Sequence, residues 1–225
     1  RAISGWVPRG TAEDVDRAVH AAKVAFGPWR RMAPRERGKL LSRIAEDLQA
    51  DVEDLARLVA SETGNAIRTQ SRPEANSSAD VFRYFGGLAS EMKGATIPLG
   101  ETILNYNLRE PIGVVGAIIP WNSPPLIGSL KIAMALVTGN TLVVKSAVAA
   151  PLGVLGIAEV CQRHLPPGVP TVITCSGQAA SVSLATHRLL GDTSFTWSAA
   201  RRRVVHGRRG RGEADSPACR GRRSP

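Results

Sequence analysis

Two short segments carry the residues best placed to do chemistry. The first runs from Ile112 to Pro120 and continues as Trp121-Asn122-Ser123-Pro124, which reads as a buried strand entering a rigid turn. An asparagine amide in such a turn can donate to an oxyanion that develops during acyl transfer. It serves equally well as a plain cap for the helix that begins near Pro124, and Trp121 taken alone reads as a packing residue. The second segment, Leu142-Val143-Val144-Lys145, is an aliphatic run closed by one cation. A lysine there reaches a ribose hydroxyl or a phosphate, or else snorkels to the surface. A third segment, Thr174-Cys175-Ser176-Gly177, joins a strand to a helix and could seat a phosphate on the helix N-terminus. The glycine-rich dinucleotide fingerprint is missing, and an ordinary turn fits the spacing.

The three cysteines add little. Cys161 falls in a helical apolar pattern as a small hydrophobe, Cys175 sits at a strand end, and Cys219 lies in a basic stretch. None sits in a low-pKa setting that the sequence reveals, so none reads as a nucleophile. Their wide spacing gives no metal-ligand pattern, and the odd count suits a reducing compartment.

The elements that must position these residues follow from periodicity. Thr11 caps a helix with Val15, Ala18, Val19 and Ala22 on one face, and Gly27-Pro28 is read as its stop. A second helical region runs from Pro34 to about Glu62, with Gly64 as the left-handed terminator. A third covers roughly Glu74 to Met92, with Ala79, Phe82, Phe85 and Leu88 inward. Residues 102–108 alternate through Leu104, Tyr106 and Leu108, a half-exposed strand. From 112 onward the pattern is strand 112–119, helix 125–138, strand 141–145, helix 151–163, strand 171–174, helix 178–187 and strand 193–196. Continuous apolar strands alternating with helices predict an α/β fold, a doubly wound parallel sheet behind a helical front section.

Composition narrows the function. Only 4% of the 225 residues are aromatic, so the core is aliphatic. No apolar run approaches the ~20 residues of a membrane helix, and no signal-peptide core opens the chain. A cytoplasmic protein without a membrane partner is expected. The net charge of +10 suggests nucleic acid, yet residues 201–225 hold nine of the 29 basic residues and only two of the 19 acids. The body is nearly balanced, and the arginine run lacks aromatic interleaving, so nucleic acid is not the expected partner. Residues 1–200 are read as one domain, and 201–225 as a basic disordered tail outside the ancestral fold.

Taken together, Glu110-Pro-Ile-Gly-Val-Val-Gly-Ala-Ile-Ile-Pro-Trp-Asn122, Ala135-Leu-Val-Thr-Gly-Asn-Thr-Leu-Val-Val-Lys145, Leu165-Pro-Pro-Gly-Val169 and Ser194-Phe-Thr196 resemble the amino-terminal half of an NAD(P)-dependent aldehyde dehydrogenase. Ala25-Phe-Gly-Pro-Trp29 and Glu62-Thr-Gly64 fit as well, and the likeness spans about residues 5–196. It implies an incomplete aldehyde dehydrogenase fold with a Rossmann-like sheet, NAD or NADP as cofactor, an aldehyde substrate, and a homo-oligomer in which strand 102–108 is an oligomerisation-type extension. It implies oxidation of the aldehyde through attack by a cysteine thiolate, hydride loss to the nicotinamide, and hydrolysis of the acyl-enzyme by a glutamate-activated water. By the same resemblance Asn122 is the catalytic oxyanion donor. Ile118, Pro120 and Trp121 line the cofactor cleft, Lys145 contacts the adenosine ribose, and Gly177 and Ser198 lie near the pyrophosphate.

The chain also departs from that pattern. Val148 stands where the family has a ribose-binding glutamate, Cys175 and Ser181 replace glycines, and Trp197 replaces the glycine of Phe-Thr-Gly-Ser. The Glu-Leu-Gly-Gly segment and the nucleophilic cysteine are not found. The expectation is a truncated or frame-shifted product without dehydrogenase turnover; the alternatives are a remnant that only binds nucleotide and a basic-tailed nucleic-acid binder.

Overall fold

The computed structural model describes residues 5–175 and 178–196. Gly177, Trp197, Ser198, Cys219 and the tail 201–225 lie outside the described residues.

Helix α1 (Ala12–Arg31) opens on a capping box: the Asp14 amide donates to Thr11 Oγ1 (3.4 Å), and the Thr11 amide donates to Asp14 Oδ2 (2.7 Å). The helix does not stop at Gly27-Pro28. The ring removes one amide whose acceptor would be the carbonyl of Val24, a residue 79% exposed to water, while Trp29 is buried and holds the last turn in place. The next helical region divides at Asp51 into α2 (Pro34–Ala50) and α3 (Val52–Thr63). Leu48 and Val52 are four residues apart, so the apolar period runs through the break and hides it. Gly64 closes α3 in the left-handed conformation (φ 77°). A π-helical turn (Ile67–Ser71) leads into α4 (Arg72–Leu88), and a 3-10 turn (Ala89–Glu91) ends it.

A hairpin follows: β1 (Thr96–Pro98) against β2 (Leu104–Tyr106), antiparallel. β1 went unread because three exposed residues, one a proline, carry no period. Leu104 and Tyr106 point to solvent rather than to a covered face.

The remainder is β3 (Val114–Ile118), α5 (Pro124–Val137), β4 (Thr141–Lys145), α6 (Leu152–His164), β5 (Pro170–Ile173), α7 (Gln178–Ala185) and β6 (Leu190–Phe195). The strands form one parallel sheet in the order β5-β4-β3-β6. Side chains alternate across it. Val115, Ala117, Leu142 and Val144 face a core built with α2 to α6. Val114, Ile118, Val143 and Ile173 face a second core closed by α1 and α7. Both faces are thus covered, as continuous apolar strands demand. Buried Arg37 on α2 ties the front section to the end of α5, donating from Nε to the carbonyl of Val137 (3.2 Å). Among the described residues, no helix is long and apolar enough to cross a membrane.

Candidate functional site

The chain passes from β3 to β4 to β5 in one direction and then returns to β6 on the other side of β3. That reversal is a topological switch point, and open α/β sheets take ligands outside the carboxyl ends of the strands at such points. Ile118 and Lys145 are register partners at that rim, and the Ile119 amide donates to the Lys145 carbonyl (3.0 Å). The sheet therefore brings the ends of the two segments singled out from sequence side by side. Ile118 and Lys145 are buried, Pro120 is half-buried, and Trp121 (65% exposed) and Asn122 are open to solvent.

Asn122 does not cap α5. The capping position falls to Ser123, which makes no side-chain cap bond, and among the described residues the Asn122 side chain has no hydrogen-bond partner. Its amide remains available to an outside acceptor. Lys145 lies close enough to Cys175 for its charge to act on the thiol. Burial nevertheless dominates and pushes that thiol up. Val148 is exposed just beyond this rim.

Sequence reasoning missed a second lysine. Lys131 sits on the sheet side of α5, buried, and donates from Nζ to Ser194 Oγ near the end of β6 (2.6 Å). Burial lowers its pKa. The signal was present: Lys131 is the only charged residue in α5, an otherwise apolar helix. Also missed were Glu62 and Glu74. Glu62 Oε2 and Oε1 accept the Leu152 and Gly153 amides (2.6 and 2.8 Å) at the start of α6. Glu74 Oε1 accepts the Leu126 amide (3.4 Å) at the start of α5, and its Oε2 is buried without a partner. Burial raises the pKa of both, and the Glu62 charge adds to the rise at Glu74. The N-termini of α5 and α6 are thus occupied by the protein's own carboxylates.

Another polar group is Asp16, His20 and His187, whose ligand atoms lie within 4.8 Å of one another. The Leu189 amide donates to His187 Nδ1 (3.2 Å), so the ring proton sits on Nε2 and is donated to Asp16 Oδ1 (3.1 Å). With that proton in place Nε2 has no lone pair to offer a cation. The group works as a clamp between α1 and the α7–β6 turn.

Comparison with known proteins agrees with this architecture. The model of the aldehyde dehydrogenase family matches residues 1–212. The chain belongs to the aldehyde dehydrogenase family. It is 38% identical over 191 residues to acetaldehyde dehydrogenase of Pseudomonas aeruginosa, covering 85% of this chain and 38% of that protein. A putative aldehyde dehydrogenase from Burkholderia cenocepacia has the same fold (TM-score 0.86, 42% identity), with 91% of this chain and 42% of that one covered. PnpE of Pseudomonas sp. WBC-3, solved with nicotinamide adenine dinucleotide, gives a TM-score of 0.86 at 40% identity, covering 89% and 42%. The chain thus spans about two-fifths of the length of these relatives, and its fold is the Rossmann-like α/β fold of the family in part.

Proposed function

We propose that this chain supplies the nucleotide-binding part of an NAD(P)-dependent enzyme that oxidises an aldehyde to a carboxylic acid. By itself it binds the nucleotide without turning aldehyde over. The observation that carries the reading is the meeting of the exposed Trp121-Asn122 corner with the end of β4 at a single sheet rim. The donor set suits a dinucleotide: a lysine for ribose or phosphate, a flat indole and apolar wall for a ring, and an amide donor one residue farther on. Bound there, NAD⁺ or NADP⁺ would accept the hydride.

In this reading Lys145 holds the ribose end, while Ile118, Pro120 and Trp121 form the wall. The family likeness assigns Gly177 and Ser198 to the pyrophosphate. Asn122 donates its amide hydrogen to the oxyanion formed when a thiolate attacks the aldehyde. Neither described thiol is suited to that attack. Burial pushes Cys161 up to about 12 and holds Cys175 above the usual thiol range, so both stay protonated at neutral pH. Val148, unlike a carboxylate, does not repel a 2′-phosphate, so NAD⁺ and NADP⁺ should bind within about tenfold of each other.

Titration calorimetry tests the proposal. Binding of either nucleotide is expected, weakened at least about tenfold by Lys145→Met. No heat from either nucleotide would overturn the reading. NADH formation from purified chain and an aldehyde would overturn the claim that it does not turn over.

A further inference from the structure

The helices that carry the two rim segments lack caps of their own. α5 begins Pro124-Pro125, and neither residue has an amide hydrogen, so Leu126 supplies the first one. α6 begins after Pro151, which likewise makes no side-chain cap bond. Both helices are capped instead by acids from the helical front section, 52 residues away for Glu74 and 90 and 91 for Glu62. The two caps also meet. A Cβ on Gly153 would lie 2.8 Å from Pro125 Cγ, 2.9 Å from Glu62 Oε1 and 3.1 Å from Val59 Cγ2, so the start of α6 is pressed against both the start of α5 and the Glu62 carboxyl.

We propose that Glu62 and Glu74 are positioning residues of the nucleotide groove, clamping the first turns of α5 and α6 and thereby fixing the Trp121-Asn122 turn against the segment that follows Lys145. The proposal rests on the nucleotide-binding reading above. The reason is geometric. The 120–123 turn hangs from the first turn of α5, and residues 146–151 hang from the first turn of α6. If the capping acids are lost, those turns have part-buried amides with no acceptor, and the first turns fray. A groove wall displaced by an ångström costs a bound ligand far more than it costs the fold.

The test measures NAD⁺ affinity, stability in urea, and amide exchange at Leu126, Leu152 and Gly153. The variants are Glu62→Ala, Glu62→Gln, Glu74→Ala and Glu74→Gln, with Val19→Ala as a control cavity on the opposite sheet face. The alanine variants should weaken NAD⁺ binding at least about tenfold while still folded. Glu74→Gln keeps the one acceptor oxygen in use and should stay within about threefold, whereas Glu62→Gln keeps one acceptor of two and should fall between that and Glu62→Ala. Val19→Ala should lose stability and keep its affinity. Unchanged affinity in the alanine variants would overturn the proposal, as would a parallel loss in Val19→Ala. Should the unsubstituted chain bind no NAD⁺, the functional reading fails, and exchange then decides the clamp. Faster exchange spreading from those amides to 120–123 and 146–151 in the alanine variants supports it, and unchanged protection overturns it.

Discussion

At the scale of single residues, the buried ionisable groups set how stability depends on pH. Glu62 and Glu74 are both raised from the ordinary 4.5 by burial. Their folded forms therefore hold protons more tightly than the unfolded chain does. That contribution to stability is fully present below pH 4.5 and is lost as the pH rises through the raised values. Unfolding free energies measured from pH 4.5 to 7.5 should show the unsubstituted chain losing ground to the Glu62→Gln/Glu74→Gln double variant as the pH increases. A gap moving the other way would mean that the amides at the helix starts outweigh burial and hold the carboxyls ionised. Neither acid was legible as a cap, because its partner lies 52 to 91 residues along the chain and no local motif links them. The strand ends at the rim were easier, because Ile118 and Lys145 close continuous aliphatic runs. Trp121 and Asn122 taken alone read as packing and capping residues, and only the family likeness singled them out.

At the scale of elements, strands β3 and β4 could be read to within two residues because a strand buried on both faces is a continuous aliphatic run. Helix ends were harder. Packing overrides a local stop signal where a buried anchor such as Trp29 lies just past it, and a break in phase with the apolar period, as at Asp51, leaves no trace. The tightest helix pair shows what such packing requires. α2 and α4 approach so closely that a Cβ on Gly38 would lie 2.6 Å from the Gly86 carbonyl oxygen and 2.8 Å from Ala89 Cβ. Alanine is the better helix former, yet Gly38→Ala must push the two helices apart. A loss of about 1–3 kcal/mol is expected in urea unfolding. A gain would mean the pair can separate freely, with helix propensity prevailing.

At the scale of the whole molecule, two features stand out. The β1–β2 hairpin carries Leu99, Ile103, Leu104, Tyr106 and Leu108 with more than half of each exposed, and among the described residues no element covers it. A patch of that kind favours association of copies of the chain. Sedimentation velocity should show concentration-dependent self-association that falls sharply in Leu104→Lys/Leu108→Lys, and association unaffected by the charges would move the contact elsewhere. The other feature is α1. It precedes the sheet along the chain, yet it packs on α7, β4 and β5, and Thr141 Oγ1 donates to the Ala22 carbonyl across 119 residues. While the chain is being synthesised, the stripe of Val15, Ala18, Val19 and Ala22 has no surface to settle on until the sheet has emerged from the ribosome. Through that interval the stripe stays exposed, and its docking completes the second face of the sheet.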